Sequence, residues 1–353
     1  MKIIHSSDLH LNQKYPERIE ALDRILELGA GQQADAVLIA GDFFDSKADC
    51  DYYRPQLRQK FSNLKFKVIL IPGNHDYGSF EGDLFFGNDI KVANSRPFEI
   101  IDFEHVRVVA VPYYRQDFNQ YLYQVNESRS PDKINILMMH CSLDAPFIEQ
   151  EDLGEEKAQK YLPVSSRVLS ELDFDYILAG HYHSRFMVQK ISEKCTFVYP
   201  GSPVSVTKKE QGKRAVAILD TAHSRQVSQA YIDSKYYDSL HFSFQPEIEN
   251  KVMEELRQSL GEHDCRYAHL TIAIDGFTSL GEKTLKAQID NIIKGYDSEK
   301  LDIDLTYRDI SEVLSDPLYI NFKQKLEKAD FSQEIKKDID NQCRLYFSKL
   351  RMD

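Results

Sequence analysis

At 353 residues, 42% hydrophobic and 28% charged, the chain exceeds one typical globular domain, so a main body with one or two appendages is expected. No apolar run is long enough for a bilayer span, and Cys50, Cys141, Cys195, Cys265 and Cys343 form no Cys-x-x-Cys pair, which argues against a membrane protein or disulfide framework and for a reducing cytoplasm. A net charge of −12 argues against a tight non-specific binder of nucleic acid, since such affinity comes from neutralising phosphates.

The first predicted element is a strand over 2–6, entered directly from Met1 with no signal-peptide layout, again an expectation of cytoplasmic localisation. An amphipathic helix follows over 17–33, with Ile19, Leu22, Ile25, Leu26 and Leu28 on one face. Val37–Ala40 reads as a buried strand, 52–62 as a helix, and Val68–Ile71 as a strand stopped by Pro72-Gly73. Strand 106–111, helix 115–126, strand 134–139, helix 165–172 and strand 176–179 continue the alternation, which predicts an α/β fold with a largely parallel core. From 185 the rhythm changes to strands with short connections, at 186–191, 196–200, 215–220 and 228–232. These predict an antiparallel second sheet packed on the first, a four-layer αββα sandwich over 1–233.

Residues 234–310 read as a separate small α+β cap, with helices at 247–260 and 280–294 and strands at 267–274 and 301–307. Residues 311–353 form a helical, charged tail with Pro317 at a helix start. The acidic excess lies in the first two segments, with 27 basic against 33 acidic residues in 1–233 and 9 against 15 in 234–310; the tail is balanced at 8 and 8. Bound divalent cations would reverse that sign locally.

Five apolar runs each end in a metal-type ligand: Asp8-Leu9-His10, Gly41-Asp42, Gly73-Asn74-His75-Asp76, His140, and Gly180-His181-Tyr182-His183. A polar residue directly after a strand lies at the carboxyl edge of a sheet, where open α/β sheets build their sites. Singly, Asp-x-His and Gly-Asp are ordinary turn chemistry, and a lone histidine such as His140 is more often structural. Their conjunction, in oxygen and nitrogen donors only, points to a two-metal hydrolytic centre. Asp8, His10, Asp42 and His183 can enclose one divalent ion, and Asp42, Asn74, His140 and His181 the other, with Asp42 bridging. Mixed His, Asp and Asn ligation suits manganese, with iron or zinc as alternatives, and disfavours calcium.

The order Asp-x-His, Gly-Asp-x-x-Asp, Gly-Asn-His-Asp, His, Gly-His-x-His resembles the calcineurin-like metallophosphoesterase superfamily over about residues 1–220. The resemblance implies hydrolysis of a phosphoester by a hydroxide bridging the two metals. It implies that His75 stabilises the transition state or protonates the leaving group, with Asp76 as its orienting partner. Val198–Ser205, containing Pro200-Gly201-Ser202-Pro203, and Phe43-Phe44-Asp45-Ser46 are similar to SbcD-type DNA repair nucleases, as is the layout of cap and helical tail.

That narrower resemblance implies a manganese-dependent nuclease subunit acting on double-stranded ends or single strands of DNA. It also implies an SbcC-type coiled-coil ATPase partner bound through 317–350, with Tyr319, Phe322, Leu326, Leu345, Phe347 and Leu350 as candidate contacts. A homodimer through 52–62 and 80–88, where Phe80, Leu84, Phe85 and Phe86 crowd together, is implied too. The same six tail residues could instead pack the tail onto the cap. The densest basic run, Lys208, Lys209, Lys213 and Arg214, is a candidate phosphate-backbone contact, although charge runs are usually solvated hairpin ends. Asp45, Tyr113, Tyr114 and Arg115 are further candidates for contacts to DNA; some relatives carry histidine at the position of Asp45. A small-substrate phosphodiesterase and a mainly architectural subunit bridging DNA and an ATPase are the competing expectations.

Overall fold

The computed structural model describes residues 1–114, 118–144, 162–222 and 226–350, with the side chain of Leu350 excluded. Chain contacts divide it into two units, residues 1–237 and residues 238 onward. In chain order the first unit contains β1 (Lys2–Ser6), α1 (Glu17–Gly31), β2 (Ala36–Ala40), α2 (Lys47–Lys60), β3 (Lys67–Ile71), β4 (Ile90–Val92), β5 (Glu99–Asp102) and β6 (Val106–Val111). A short 3-10 turn precedes α3 (Leu122–Glu127), followed by β7 (Ile134–His140), β8 (Ser142–Asp144), β9 (Pro163–Ser165), α4 (Ser166–Ser170) and β10 (Tyr176–Gly180). The unit closes with β11 (Met187–Lys190), β12 (Thr196–Tyr199), β13 (Ala215–Asp220) and β14 (Val227–Tyr231).

Two six-stranded sheets result, ordered β14-β13-β1-β2-β3-β4 and β11-β12-β10-β7-β6-β5. Strand alternation divides their side chains among three apolar clusters. Ile3, Leu38, Ile69 and Leu219 of the first sheet meet Val108, Ile136, Leu178 and Val198 of the second between the sheets. Ile4, Ile39 and Leu70 face outward and are covered by Ile19, Leu22 and Ile25 of α1 and Leu57 of α2. Leu137, Ile177 and Phe197 are covered in the same way by Val125 of α3 and Leu169 of α4. The predicted αββα layering is therefore present.

Three details of the first unit depart from expectation. The strands beyond 185 do not form a sheet of their own: β12 pairs parallel with β10 in one sheet, while β13 pairs antiparallel with β1 in the other. The first strands fill both sheets, and later strands extend them at the edges, because each existing edge offers unpaired backbone groups. No helix forms over 80–88, where Gly82 and Gly87 adopt positive φ and Phe80 and Phe86 turn into the core. Helix 115–126 is replaced by the 3-10 turn Phe118–Tyr121 and α3, and Arg115 lies outside the described residues.

The second unit contains β15 (Tyr236–Phe244), α5 (Glu249–Glu262), β16 (Ala268–Thr278), α6 (Glu282–Ile293), β17 (Leu301–Leu305), β18 (Arg308–Asp309), α7 (Ser311–Ser315), α8 (Pro317–Lys328) and α9 (Gln333–Leu350). Pro317 begins α8 behind an Asp316 cap that accepts from Leu318 N at 2.8 Å. Tyr319 joins Phe277, Ile310 and Val313 in an apolar cluster against which Phe322, Leu345 and Phe347 pack, and Leu326 is also buried. Five of the six tail side chains nominated for a partner are thus occupied within their own unit; that of Leu350 lies outside the described residues. The exposed apolar residues of this stretch are Leu318, Ile320, Phe331, Ile335 and Tyr346. Among the described residues, no helix is long and apolar enough to cross a membrane.

Candidate metal centre

Parallel register brings the ligands together. Ser6 pairs with Ile39 and Ala40 with Ile71, so β1, β2 and β3 end level; in the other sheet Gly180 pairs with His140. Beyond those ends, Asp8 N donates to Gly41 O at 3.0 Å and His10 N to Asp42 O at 2.9 Å, aligning the first two ligand loops. Two histidines staple the sheets beneath them: His140 Nδ1 donates to Ala40 O at 2.9 Å, and His5 Nε2 to Ala179 O at 3.2 Å. Two glycines permit this closeness. A Cβ on Gly180 would lie 2.0 Å from Ala40 O, and one on Gly73 would lie 2.1 Å from Asp42 Oδ1.

The backbone at the site is strained. Asp8, His10 and Asp42 sit in left-handed conformations at φ 55°, 46° and 49°, and His181 at 117°. Such conformations in residues other than glycine persist only where the surroundings enforce them, and they concentrate at functional sites. These four residues lie in three of the ligand loops, where the donors are turned toward one another.

Donors bound to one ion at about 2.1 Å in tetrahedral or octahedral geometry stand about 3.0–3.4 Å apart. His10 Nε2 and His183 Nε2 are 3.1 Å apart, and His183 Nε2 is 3.7 Å from Asp8 Oδ1. Asp42 Oδ2 is 3.7 Å from His10 Nε2 and 3.3 Å from His140 Nε2, so one carboxylate oxygen faces both halves of the site. Asn74 Oδ1 is 2.8 Å from His140 Nε2. Because Nδ1 of His140 donates to Ala40 O, its Nε2 is the atom turned to Asn74 and Asp42. His181 is buried, its amide donates to Asp8, and its ring lies edge-on to His140.

Charge reinforces the reading. Burial alone would lower the pKa of His140, but Asp42 and Asp8 outweigh it and raise it to about 10. For His183 burial is likewise overcome, by Glu210 and Asp8, and the pKa rises to about 9. Burial acts to raise Asp42, yet His140 and His10 hold it far below the usual carboxylate range. Protons on imidazoles here balance carboxylates that divalent cations would balance in their place. Donor distances suited to a shared ion join Asp8, His10, Asp42 and His183 on one side and Asp42, Asn74 and His140 on the other, with the His181 ring packed against His140.

Residues 1–185 match the family model described as calcineurin-like phosphoesterase. The chain belongs to that family. It is a metal-dependent phosphoester hydrolase by membership, with two divalent metals as the family's cofactor. The SbcD component of the nuclease SbcCD from Staphylococcus epidermidis is 23% identical over 277 residues, covering 67% of this chain and 70% of that protein. Among solved structures, GAP50, the anchor in the inner membrane complex of Plasmodium, has 11% identity and a TM-score of 0.42, covering 67% of this chain and 90% of its own. A dimetal phosphatase from Danio rerio has 13% identity and a TM-score of 0.42, covering 62% and 91%.

Several nominated residues take other places. The buried oxygens of Asp76 accept from Phe43 N at 2.8 Å, Phe44 N at 3.0 Å and Gly73 N at 2.7 Å, stapling two ligand loops together. Asp45 Oδ1 stands 3.9 Å from His75 Nδ1. Asp45 also accepts from His10 Nδ1 at 3.1 Å and Asn12 Nδ2 at 2.7 Å, so its carboxylate braces the first ligand loop. Burial acts to raise its pKa, but His10, Asn12 and Arg18 together outweigh that and keep it well below the usual range.

Arg214 is buried as well. Its guanidinium donates to Ser202 O at 2.9 Å, to Ser184 O at 3.1 Å and to His183 O, which removes it from any backbone-binding patch. Lys208, Lys209 and Lys213 are exposed. Tyr113 and Tyr114 are buried, the latter stacked on Tyr121. Sequence reasoning missed Glu210, whose Oε1 lies 3.3 Å from His183 Nδ1. The available signal was a lone acid inside a basic run, which reads equally well as charge balance.

Proposed function

We propose that this chain is a manganese-dependent DNA nuclease subunit of an SbcCD-like repair complex. The observation that carries the reading is the extent of the likeness to the staphylococcal SbcD protein. An alignment covering 67% of this chain must run past residue 185, so it takes in sequence beyond the stretch that matches the phosphoesterase family model. The Pro200–Ser205 segment and the second unit supply what a small-substrate phosphodiesterase would not require.

When bound, the two ions supply positive charge at a phosphoryl oxygen and make water a better nucleophile near neutral pH. The chain's own groups supply the rest. His75 is the ligand-loop imidazole that remains open, with 35% of its side chain exposed. Its ring stands edge-on to His10 at 4.7 Å between centroids, and its backbone amide donates to Asp42 Oδ1 at 2.9 Å. That location suits transfer of a proton to the departing oxygen, with Asp45 Oδ1 3.9 Å from the ring Nδ1. Phosphates on either side of the scissile bond would meet Lys208, Lys209 and Lys213. Leu318, Ile320, Phe331, Ile335 and Tyr346 replace the buried tail residues as the candidate ATPase contacts, and a homodimer remains part of the proposal.

The test is cleavage of linear duplex and single-stranded DNA by metal-stripped protein reloaded with Mn²⁺, beside cyclic nucleotides as alternative substrates. DNA should be degraded and cyclic nucleotides turned over little. Turnover of cyclic nucleotides without DNA cleavage would overturn the proposal.

A further inference from the structure

Around the ion facing Asp8, His10 and His183, each imidazole has its outer nitrogen held by a carboxylate. For His10 it is Asp45; for His183 it is Glu210, with Oε1 at 3.3 Å from Nδ1. Glu210 is 2% exposed, so its charge is withdrawn from solvent and directed at that ring. Its Oε2 accepts from Val206 N at 2.7 Å and Ser202 Oγ at 3.0 Å, while its own carbonyl accepts from Ser205 Oγ at 2.7 Å. Arg214 completes the frame by clasping the carbonyls of Ser202, Ser184 and His183. The carboxylate is thus fixed on Oε2 by the 202–206 loop, while Oε1, which also takes a longer 3.4 Å contact from Thr207 Oγ1, is directed at His183.

We propose that Glu210 is a positioning residue for His183, setting the affinity of one of the two metal ions. A carboxylate on Nδ1 fixes the tautomer with its proton on that atom. It leaves the Nε2 lone pair toward His10 and Asp8 and makes it a stronger donor. The alternative, that Glu210 merely satisfies its own loop, accounts for Oε2 and for the 3.4 Å contact of Thr207 Oγ1 with Oε1, and leaves the approach of Oε1 to His183 Nδ1 unexplained. The same contact joins His183 mechanically to the segment carrying Lys208 and Lys209. The inference rests on the family's dinuclear centre and does not require DNA as the substrate.

The experiment is calorimetric titration of the metal-stripped full chain with Mn²⁺ alone. Wild-type protein should bind two ions, and Glu210→Gln should weaken one of them by about 10–100-fold while the other stays within about twofold. In a His183→Asn background, Glu210→Gln should cost little further affinity, since the pathway through His183 is already gone; a loop-structural role would add its full effect. Unchanged binding of both ions, equal weakening of both, or additivity with His183→Asn would each overturn the proposal. Should Glu210→Gln fail to fold, Ser202→Ala loosens the carboxylate without removing it. It should weaken the same single ion by a few-fold, and no change would count against the role. DNA cleavage does not enter this readout, so a failure of the nuclease reading is seen separately.

Discussion

Two of the buried ionic networks among the described residues differ in a way that separates a site from a structural tie. In the second unit, Arg344 is 2% exposed and every arm of its guanidinium meets an acceptor: Tyr319 Oη at 3.0 Å, Gln245 Oε1 at 3.1 Å, Asp340 Oδ2 at 2.8 Å and Glu247 Oε1 at 2.5 Å. Asp340 also takes Tyr319 Oη at 2.7 Å and Lys323 Nζ at 2.7 Å, closing the circuit between α8 and α9 on regular helical backbone. Donor faces acceptor throughout. In the first unit, atoms of metal-ligand type converge on one another: Asn74 Oδ1 on His140 Nε2, and His10 Nε2 on His183 Nε2. Left-handed backbone at Asp8, His10 and Asp42 holds them there. A network of the first kind is complete by itself, whereas one of the second kind is completed by cations.

The largest expected effect lies at the shared ligand. Asp42→Ala should lose both ions by elemental analysis and reduce phosphodiester hydrolysis by about 1,000-fold or more. Two ions retained in that variant would break the distinction between the two networks. Arg344→Met is the counterpart: removing one partner of a buried network should destabilise the second unit by about 3 kcal/mol in denaturant unfolding. Metal content should remain that of wild type. His75→Ala should keep both ions and slow hydrolysis by about 100-fold, the scale of a lost general acid. A parallel fall in metal content would instead make His75 a ligand.

The two networks also differ in pH response. His140 and His183 have folded pKa values raised from 6.5 to about 10 and about 9 in metal-free protein. A raised pKa stabilises the fold fully below 6.5, and that contribution disappears as pH climbs through the folded values. The metal-free protein should therefore lose melting temperature between those limits. Added Mn²⁺ should reverse the slope, because ligation requires deprotonated imidazoles and tightens as pH rises. A melting curve independent of pH across that range, without metal, would show the imidazoles are not paired as described. The smallest effect belongs to the exposed lysines: Lys208→Ala and Lys209→Ala should each weaken DNA binding only a few-fold and reduce its salt slope by about 1.

The ligand motifs were legible because their logic is local. A strand that ends in Gly-Asp or Gly-Asn-His-Asp announces both the sheet edge and the donor, and parallel pairing then makes those edges level. The alternation of strands and helices up to residue 180 was legible for a similar reason, since periodicity reports burial on one face or two. Strand partnership beyond 185 was not, because short strands with similar patterns pair with whichever edge is open. Nor could sequence separate Arg214 from Lys213, since adjacent basic residues look alike until one is buried under carbonyls. The tail shows the same limit: Tyr319 and Phe347 read as either partner contacts or core until Phe277 and Ile310 are seen beside them.

What the sequence determined by itself was the chemistry: which donors exist, in what order, and that they follow strands. What tertiary structure decided was which atoms of those donors meet. It turned Nε2 of His10, His140 and His183 inward by holding each Nδ1 on Asp45, Ala40 O and Glu210, and it made Asp76 a staple of loops. The physical reason is that ligand identity is written in side chains one at a time. Ligand orientation is set by hydrogen bonds between segments as far apart as 35 and 100 residues, which no local pattern records.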